Sequence, residues 1–435
     1  MQPRGGRRGA GGEGGGHRLC CCCCFLLESM RLSALALTSS RLLSLGCRTV
    51  SPPGARDGAR DGAGSGAPTA LSFDKPKVEL HIHLDGAIRP KTILEVAKRR
   101  KIKLPTKNDN QFLKLITCDG PTTLTEMLTK FGYFMPIVAG DRDAIRQIAY
   151  ELVEDKANEK IVYFEARYSP HLLANCDVYP IPWKQSEGDL SPDEVVRLVN
   201  EGFEKGQRNF GIKVRSILSC LRHMEAWSPE VVELCKKYRK DGVVGLDLAG
   251  DESINYEPSR GHVQTYQEAV RCGIHRTVHA GEVGPPEVVR EAVEILKAER
   301  IGHGYSIIKD AKLYQEILQK DIHLEACLYS SYITGACKAD FSKHPVVRFM
   351  NDGANFSLST DDPLIFNSTI HTEYNMAAKD MNFTEMQFMR MNLNAARSSF
   401  LCENKKKELL NQLRKAYGMP EEPKLDTNLN NYPCL

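Results

Sequence analysis

The chain has 435 residues and a formal net charge of +3. This length suits one large α/β barrel or two ordinary domains. The small net charge gives no electrostatic basis for binding nucleic acid or an anionic membrane. No stretch approaches the ~20 apolar residues of a transmembrane helix, so we expect no membrane span.

Residues 1–70 differ in composition from the rest of the chain. They are rich in Gly and Arg, contain no Lys, and include five consecutive cysteines at 20–24. We expect a low-complexity extension that is disordered and plays no part in the fold. Two alternatives are a mitochondrial transit peptide over 30–48, which is rich in Ser, Leu and Arg and free of acids, and a weak signal peptide around 19–27. The cysteines after position 70 show no CxxC pairing, which indicates reduced thiols in a cytoplasmic protein.

From residue 73 to about residue 425, short β-rich runs alternate with longer helical stretches. The stretch 191–206, for example, opens with a Ser-Pro pair that is typical of a helix N-terminus. This alternation predicts one catalytic α/β domain, a (β/α)8 TIM-type barrel with extra helices over the C-terminal rim, followed by a tail at 426–435. A doubly wound open sheet is the alternative. The predicted strands are 78–83, 161–168, 213–219, 243–250, 275–281, 299–304, 322–327 and 355–362.

Candidate functional residues stand at the C-terminal ends of these runs. In a (β/α)8 barrel all strand ends converge on one rim, where the active sites of this fold are built. The doubly wound alternative would not explain this placement. The residues are His81 and His83 in the first run, Gly250 in the fourth, His279 in the fifth, His303 in the sixth, and Asp361 with Asp362 in the eighth.

The histidines and one aspartate predict a metal site. His81 and His83 alternate along a strand, so both imidazoles face the same side. Together with His279 and Asp361 they suit one Zn²⁺ ion per chain, and they suit Ca²⁺ or Mg²⁺ poorly. The placement alone does not separate Zn²⁺ from Fe²⁺ or Co²⁺. His323 lies in the middle of a predicted strand, and we expect a structural role for it.

Three further residues supply acid and base groups beside this metal site. Glu282 follows the fifth run, and a carboxyl group in a closed pocket can be held protonated as an acid. His303 could orient or deprotonate a water molecule, and Asp362 could accept a hydrogen bond from that water. A metal site with these neighbours indicates metal-assisted hydrolysis.

Six motifs occur in order along the chain: HIHLDGAIRP (81–90), SPHLLAN (169–175), DLAGDE (247–252), HAGE (279–282), RIGHGY (300–305) and SLSTDDPL (357–364). The set resembles the adenosine deaminases of the metal-dependent amidohydrolase superfamily, and most closely those of the vertebrate cytosolic type. The resemblance runs from about Phe73 to at least Tyr417 and does not cover residues 1–70. It implies zinc-dependent hydrolytic deamination of adenosine and 2′-deoxyadenosine to inosine and 2′-deoxyinosine, with release of ammonia.

The resemblance also implies catalytic roles. Glu282 matches the residue that gives a proton to purine N1, so that C6 accepts hydroxide. His303 matches the group that positions the attacking water and stabilises its charge, and Asp362 matches its hydrogen-bonding partner. The residues that match the zinc ligands are His81, His83, His279 and Asp361.

Substrate contacts follow from the same resemblance. Gly250 matches a backbone N–H that binds purine N3, and Asp85 matches a residue near the ribose hydroxyls. A carboxylate at position 85 would repel a 5′-phosphate, which favours a nucleoside over AMP. Apolar residues recur at helical spacing in 122–134, and the family uses this helix as a gate over the pocket. The residues that match the gate are Leu124, Leu128 and Phe131.

Two departures from the family pattern concern the rim and the partners. In the segment 327–337 the family has Pro, Trp and Trp where this chain has Leu328, Tyr329 and Cys337. We expect a rim loop of different shape, and none of these three departures affects a predicted ligand. The pair at 208–209 is Arg-Asn, whereas some mammalian members engage a cell-surface peptidase through Arg-Asp. This difference argues against such a partner.

We therefore expect a monomeric, cytoplasmic enzyme that acts on a small purine nucleoside. A transit peptide at 30–48 would make it mitochondrial, and family analogy leaves cell-surface association open. One alternative is a deaminase of AMP or an N6-modified purine nucleotide, because SLSTDDPL also resembles AMP deaminase. The other is a binding role of the same fold at the cell surface.

Overall fold

The computed structural model describes residues 73–253 and 257–420. The predicted extension at 1–70, including the transit-peptide and signal-peptide interpretations, and the tail at 426–435 lie outside the described residues. The predicted domain boundary near 425 lies outside them as well. None of the helices within the described ranges combines the length and the apolar character that crossing a membrane requires.

The strands form one continuous parallel array. Each strand pairs with the next strand along the chain, so the spatial order equals the sequence order. A doubly wound sheet requires a reversal of strand order, and this alternative is wrong. All eight predicted runs contain a strand, which confirms the (β/α)8 prediction. The strands are β1 (Lys77–His83), β2 (Ile161–Tyr168), β3 (Lys213–Leu221), β4 (Val243–Ala249), β5 (His275–Ala280), β6 (Arg300–His303), β7 (His323–Ala326) and β8 (Phe356–Leu358).

The barrel closes through Asp361. Strand β8 ends at Leu358, four residues before the predicted end, because Asp361 has a φ of 63°, outside the range of a regular strand. The backbone of Asp361 pairs with β1 instead. Its N–H donates to the carbonyl of His81 at 3.1 Å, and the N–H of His83 donates to its carbonyl at 3.0 Å. A predicted metal ligand is thus fixed beside the two histidines of β1.

Helices connect the strands and cover the outside of the barrel. The α-helices of the described residues are α1 (Pro90–Arg99), α2 (Asp109–Ile116), α3 (Leu124–Thr129), α4 (Phe131–Val138), α5 (Arg142–Asn158), α6 (Pro170–Leu173), α7 (Pro192–Phe210), α8 (Ser228–Lys237), α9 (Arg260–Arg271), α10 (Pro286–Glu294), α11 (Ala311–Gln319), α12 (Leu328–Ile333), α13 (Pro345–Asn351), α14 (Pro363–Phe366), α15 (Ile370–Asp380), α16 (Glu385–Ser398) and α17 (Glu403–Ala416). Helix α7 begins as predicted, with the Ser191 hydroxyl accepting a hydrogen bond from the N–H of Glu194. It ends at Phe210, four residues later than predicted, and the next residue is Gly211, whose φ of 71° favours glycine.

Beneath the rim, the barrel interior is charged where this fold usually places branched apolar side chains. Glu165, Arg167, Arg300 and Glu325 are all buried. Arg300 lies 2.6 Å from Glu165 and 2.7 Å from Glu325, and Arg167 lies 2.6 Å from Glu325. An unpaired buried charge destabilises the folded state by several kcal/mol. These four charged residues can therefore be buried together only because each one has a partner of opposite charge. This charged layer lies in the barrel interior, directly below the candidate functional residues at the rim.

Candidate active site

The fold brings the predicted histidines to one rim of the barrel. The ring centroid of His81 lies 4.5 Å from that of His279, 4.8 Å from that of His303 and 5.5 Å from that of His83. These side chains come from β1, β5 and β6, which are far apart in sequence. The convergence of strand ends in a barrel explains how they meet.

The donor atoms of the predicted metal ligands face one another. Oδ1 of Asp361 lies 3.2 Å from Nε2 of His81 and 3.4 Å from Nε2 of His83. The Nε2 atoms of His83 and His279 are 3.1 Å apart. Tetrahedral ligands ~2.1 Å from one ion lie roughly 3.4 Å from one another, so the spacing fits a single divalent ion. Donor atoms of His81, His279, His303 and Asp361 also lie within 4.8 Å of one another, which places His303 directly beside the predicted ligands.

Two buried carboxylates orient the imidazoles. Nδ1 of His81 lies 2.8 Å from Glu325, and Nδ1 of His279 lies 3.0 Å from Asp247. With Nδ1 of each ring engaged by a carboxylate, Nε2 is the nitrogen that each ring can offer to a metal ion. Nε2 of His81 is buried and has no hydrogen-bond partner among the described residues. Burial holds the pKa of His83 well below its usual value, which favours the neutral form that binds metals.

Glu325 and Asp247 are functional residues that the sequence-based predictions miss. Both lie on mostly buried strands, β7 and β4, and both are fully buried. A charged residue in such a run needs a partner, which is the signal that could have identified them. Burial alone would raise the pKa of Glu325, but Arg167 and Arg300 hold it well below the usual range. The carboxylate that orients His81 is therefore ionised.

The carboxylate of Asp361 is held from several directions. The Ser330 hydroxyl donates to its Oδ2 at 2.7 Å, while Oδ1 faces the imidazoles. The preceding residue, Thr360, donates its N–H and its hydroxyl to Glu79 at 2.8 and 2.6 Å. Burial alone would raise the pKa of Asp361, but the imidazoles that it faces hold it well below the usual range. The cluster thus contains an anionic oxygen of fixed orientation.

The predicted acid, Glu282, lies beside this cluster. Its Oε2 is 3.6 Å from Nε2 of His303, and its Oε1 accepts a hydrogen bond from the Thr334 hydroxyl at 2.8 Å. Burial and the negative charge of nearby carboxylates raise the pKa of Glu282 well above its usual value. This shift favours the protonated form of Glu282, the form that can act as a proton donor.

The loop after β4 links the predicted purine contact to the predicted acid. Gly250 has a φ of 110°, a backbone conformation that favours glycine. Two residues further on, the buried carboxylate of Glu252 accepts hydrogen bonds from the N–H groups of Gly281 and Gly284 at 2.9 and 2.7 Å. These two glycines lie on either side of Glu282 in the loop after β5. The carboxylate of Glu252 therefore fixes the distance between the loop after β4 and the loop after β5.

The two remaining predicted carboxyl groups are also buried. Oδ1 of Asp85 and Oδ1 of Asp362 lack a hydrogen-bond partner among the residues that the structure describes. Burial raises the pKa of Asp85 to about 7, and burial together with the charge of Asp361 raises that of Asp362 well above its usual value. A Cβ atom at Gly86 would lie 1.7 Å from Oδ1 of Asp362, so this packing requires glycine. Buried polar atoms without a partner are candidates for contact with a ligand.

The three predicted gate residues lie on α3 and α4, which are separated by a single residue in helical conformation. Leu124 and Phe131 are buried, and Leu128 is half-buried. Just before α3, the N–H of Thr122 donates to the carbonyl of Ile333 at 2.7 Å. This bond ties the start of the predicted gate to the end of α12.

The segment 327–337, which we predicted to be a rim loop, is partly helical. Residues Leu328–Ile333 form helix α12, and this helix begins directly after strand β7. Its Ser330, which is not one of the three departing residues, contacts the predicted ligand Asp361. Spacing along the chain does not show this contact, because the two residues approach only when the barrel closes.

His323 has the structural role that we predicted, although it is the first residue of β7 and does not lie in mid-strand. Nδ1 of its ring lies 2.7 Å from Oδ1 of Asn355, and Nε2 lies 2.9 Å from the Ser357 hydroxyl. Both ring nitrogens therefore have partners on the neighbouring segment of the barrel.

This arrangement defines a class of protein. A (β/α)8 barrel that holds carboxylate-oriented imidazoles, an aspartate and a buried glutamate at its strand ends has the architecture of a metal-dependent hydrolase of the amidohydrolase type.

Comparison with known proteins identifies the family within this class. The model of the adenosine deaminase family matches residues 76–416. The adenosine deaminases of Xenopus tropicalis and Bos taurus are 61% and 59% identical to this chain, with 80% of this chain and 97% and 96% of theirs covered. An adenine deaminase of Arthrobacter aurescens, at 24% identity, has a TM-score of 0.70 over 79% of this chain and 99% of its own, which supports the fold. The chain belongs to the adenosine deaminase family, and the prediction of a hydrolytic enzyme is confirmed.

Proposed function

We propose that this protein binds one zinc ion and hydrolyses adenosine and 2′-deoxyadenosine to inosine and 2′-deoxyinosine, with release of ammonia. The observation that carries the proposal is the placement of Glu282, a buried carboxyl group beside the convergent imidazole nitrogens. Relatives that are 59–61% identical and named adenosine deaminase support adenosine as the substrate.

The zinc ion would be held by three imidazole nitrogens and one carboxylate oxygen, a donor set that zinc readily takes. When bound, zinc supplies the Lewis acidity that makes water a nucleophile at neutral pH. Glu325 and Asp247 would keep two of the imidazoles in the tautomer that binds a metal. The residues that would hold the ion are His81, His83, His279 and Asp361.

The protein's own groups would then move the protons. Glu282 gives its proton to purine N1, which makes C6 electron-poor. His303, whose pKa burial holds well below its usual value, is neutral and accepts a proton as the water oxygen bonds to C6. Asp362 orients the water. The proton on His303 passes to the amino group, which leaves as ammonia. The C6 hydroxyl returns its proton to Glu282, and N1 keeps the proton that it received.

Residues at the rim of the barrel would select the substrate. Gly250 offers its backbone N–H to purine N3, Asp85 lies near the ribose hydroxyls, and the gate formed by Leu124, Leu128 and Phe131 covers the base. A buried carboxyl group at Asp85 accepts a hydrogen bond from a 5′-hydroxyl and, when ionised, repels a 5′-phosphate.

Initial rates on adenosine, 2′-deoxyadenosine, AMP and N6-methyl-AMP test the choice of substrate. We expect similar kcat/KM values for the two nucleosides and values at least ~100-fold lower for the two nucleotides. A nucleotide that reacts faster than adenosine would replace this proposal with the nucleotide alternative. Failure of all four substrates, together with saturable binding to cell membranes, would favour a binding role.

We further propose that the enzyme acts as a monomer in the cytoplasm. Seven of the eight described cysteines are free thiols, at 118, 176, 220, 235, 272, 327 and 337, whereas Cys402 is disulfide-bonded. The proposed compartment therefore rests on the resemblance to the vertebrate cytosolic type and not on the thiols. Asn209 donates a hydrogen bond to the hydroxyl of Tyr150, and Arg208 pairs with Glu204. With Asn at this position, we expect no binding to the cell-surface peptidase that some mammalian family members engage through Arg-Asp.

A further inference from the structure

Helix α12 and Thr334, the residue that caps its C-terminus, present two hydroxyl groups, one turn apart, to the candidate active site. Residues four apart lie on the same face of a helix, and Ser330 and Thr334 have this spacing at the end of α12. Both are buried, at 0% and 2% exposure. Ser330 bonds Oδ2 of Asp361, and Thr334 bonds Oε1 of Glu282. One short helix thus contacts both a proposed zinc ligand and the proposed acid.

We propose that Thr334 is a positioning residue that determines which oxygen of Glu282 delivers the proton to the substrate. The inference rests on the proposed function, because it assigns a role within the same reaction. With Oε1 held at 2.8 Å by the Thr334 hydroxyl, Oε2 is the oxygen that faces His303 at 3.6 Å. The terminal torsion of a glutamate is broad, so without this bond the two oxygens would exchange places.

The hydrogen-bonding capacity of the hydroxyl supports this role. Oγ1 of Thr334 lies 2.8 Å from Glu282 and 3.1 Å from the carbonyl of Ser330, which gives its single hydrogen two acceptors. The carbonyl-type oxygen of a protonated carboxyl group is the better acceptor, so donation to Oε1 places the acidic proton on Oε2. After proton transfer, the same hydroxyl stabilises the carboxylate.

The position of Thr334 is itself fixed by the surroundings of α12. The buried carboxylate of Glu373 accepts hydrogen bonds from the N–H groups of Leu328 and Tyr329, at the first turn of the helix, at 2.5 and 3.2 Å. At the other end, the carbonyl of Ile333 accepts a hydrogen bond from the N–H of Thr122 at 2.7 Å. A helix anchored at both ends holds its side chains with the small tolerance that proton transfer requires.

The pair of variants Thr334→Val and Thr334→Ser tests the proposal in the full-length zinc enzyme. Valine keeps the shape and removes the hydroxyl, whereas serine keeps the hydroxyl. We expect Thr334→Val to lower kcat for adenosine by ~10- to 100-fold with KM within about threefold, and Thr334→Ser to recover most of the loss. Thr265→Val is the matched control, because Thr265 is buried on α9 and its hydroxyl has no hydrogen-bond partner among the described residues.

A second readout separates positioning of Glu282 from general distortion of the pocket. In 1-deazaadenosine a C–H replaces N1, so this ligand cannot accept the proton. We expect its inhibition constant to be the same for the wild-type enzyme and for Thr334→Val, while kcat for adenosine differs. If Thr334→Val does not fold, as judged by its thermal transition and zinc content, Thr334→Ala is compared with Thr334→Ser in its place.

Two outcomes would overturn the inference. One is an unchanged kcat for a folded, zinc-loaded Thr334→Val. The other is a Thr334→Ser variant that is no more active than Thr334→Val. Either result, obtained beside an active wild-type enzyme, leaves the proposed function standing. An inactive wild-type enzyme would instead contradict the proposed function.

Discussion

Replacing Glu282 with glutamine is expected to lower kcat for adenosine by ~10²- to 10⁴-fold, the range that a positioned acid–base group contributes. Glutamine keeps the size of the side chain, and its carbonyl can still accept the hydrogen bond from Thr334. Its amide has no acidic proton to give to N1. Zinc content should remain at one ion per chain, because Glu282 is not among the proposed ligands. Steady-state kinetics and metal analysis on the same sample measure both quantities.

Glu287→Gln provides the control for this substitution. This variant carries the same substitution, glutamate to glutamine, at a position five residues further along the chain. Glu287 is exposed and lies in the first turn of α10. We expect its kcat to match the wild type within about twofold, as is usual for exposed positions. Unimpaired turnover of adenosine by Glu282→Gln would contradict the assignment of Glu282 as the proton donor.

Replacing Asp361 with asparagine is expected to weaken zinc binding by at least ~100-fold and to abolish turnover with it. Substitutions of groups that only orient a ligand already cost 10- to 100-fold in metal affinity, and Asp361 is a proposed ligand that provides an anionic oxygen within the described cluster. Asparagine retains the side-chain size, and it tolerates the φ of 63° that closes the barrel. The loss should therefore appear in metal titration and in kcat, with the fold preserved.

Asp352→Asn is the control for this second substitution. Asp352 is an exposed residue that pairs with Arg348 at 3.2 Å on the surface. Such a pair contributes about 1 kcal/mol or less, so we expect unchanged zinc affinity and unchanged kcat. An Asp361→Asn protein with wild-type zinc affinity would remove Asp361 from the ligand set.

The barrel and the histidines at its rim could be predicted from the sequence, because both follow from local patterns. Strand and helix periodicity locates the strands, and in a barrel their C-terminal ends share one rim, so a polar residue at a strand end is a site candidate. This reasoning places His81, His279 and His303 together without any knowledge of distances. The same reasoning predicts that β8 continues to residue 362, which is wrong, because Asp361 has a left-handed backbone conformation that a strand cannot contain.

The residues that orient the site could not be predicted in the same way, because each acts across the barrel. Glu325 reaches His81 from a strand more than two hundred positions away, and Thr334 reaches Glu282 from a helix that we expected to be a loop. Such contacts exist only after eight strands close into a ring. The sequence carries just one hint of them, the presence of charged residues such as Asp247 inside otherwise apolar strands.

The most direct test of the proposed chemistry uses purified protein and adenosine in water labelled with oxygen-18. We expect inosine that carries the label at its 6-oxygen, formed together with an equal amount of ammonia. We also expect that removal of zinc stops the reaction and that restoring zinc restarts it. Unlabelled inosine, or turnover that continues at full rate after complete removal of bound metal, would contradict a metal-assisted hydrolysis.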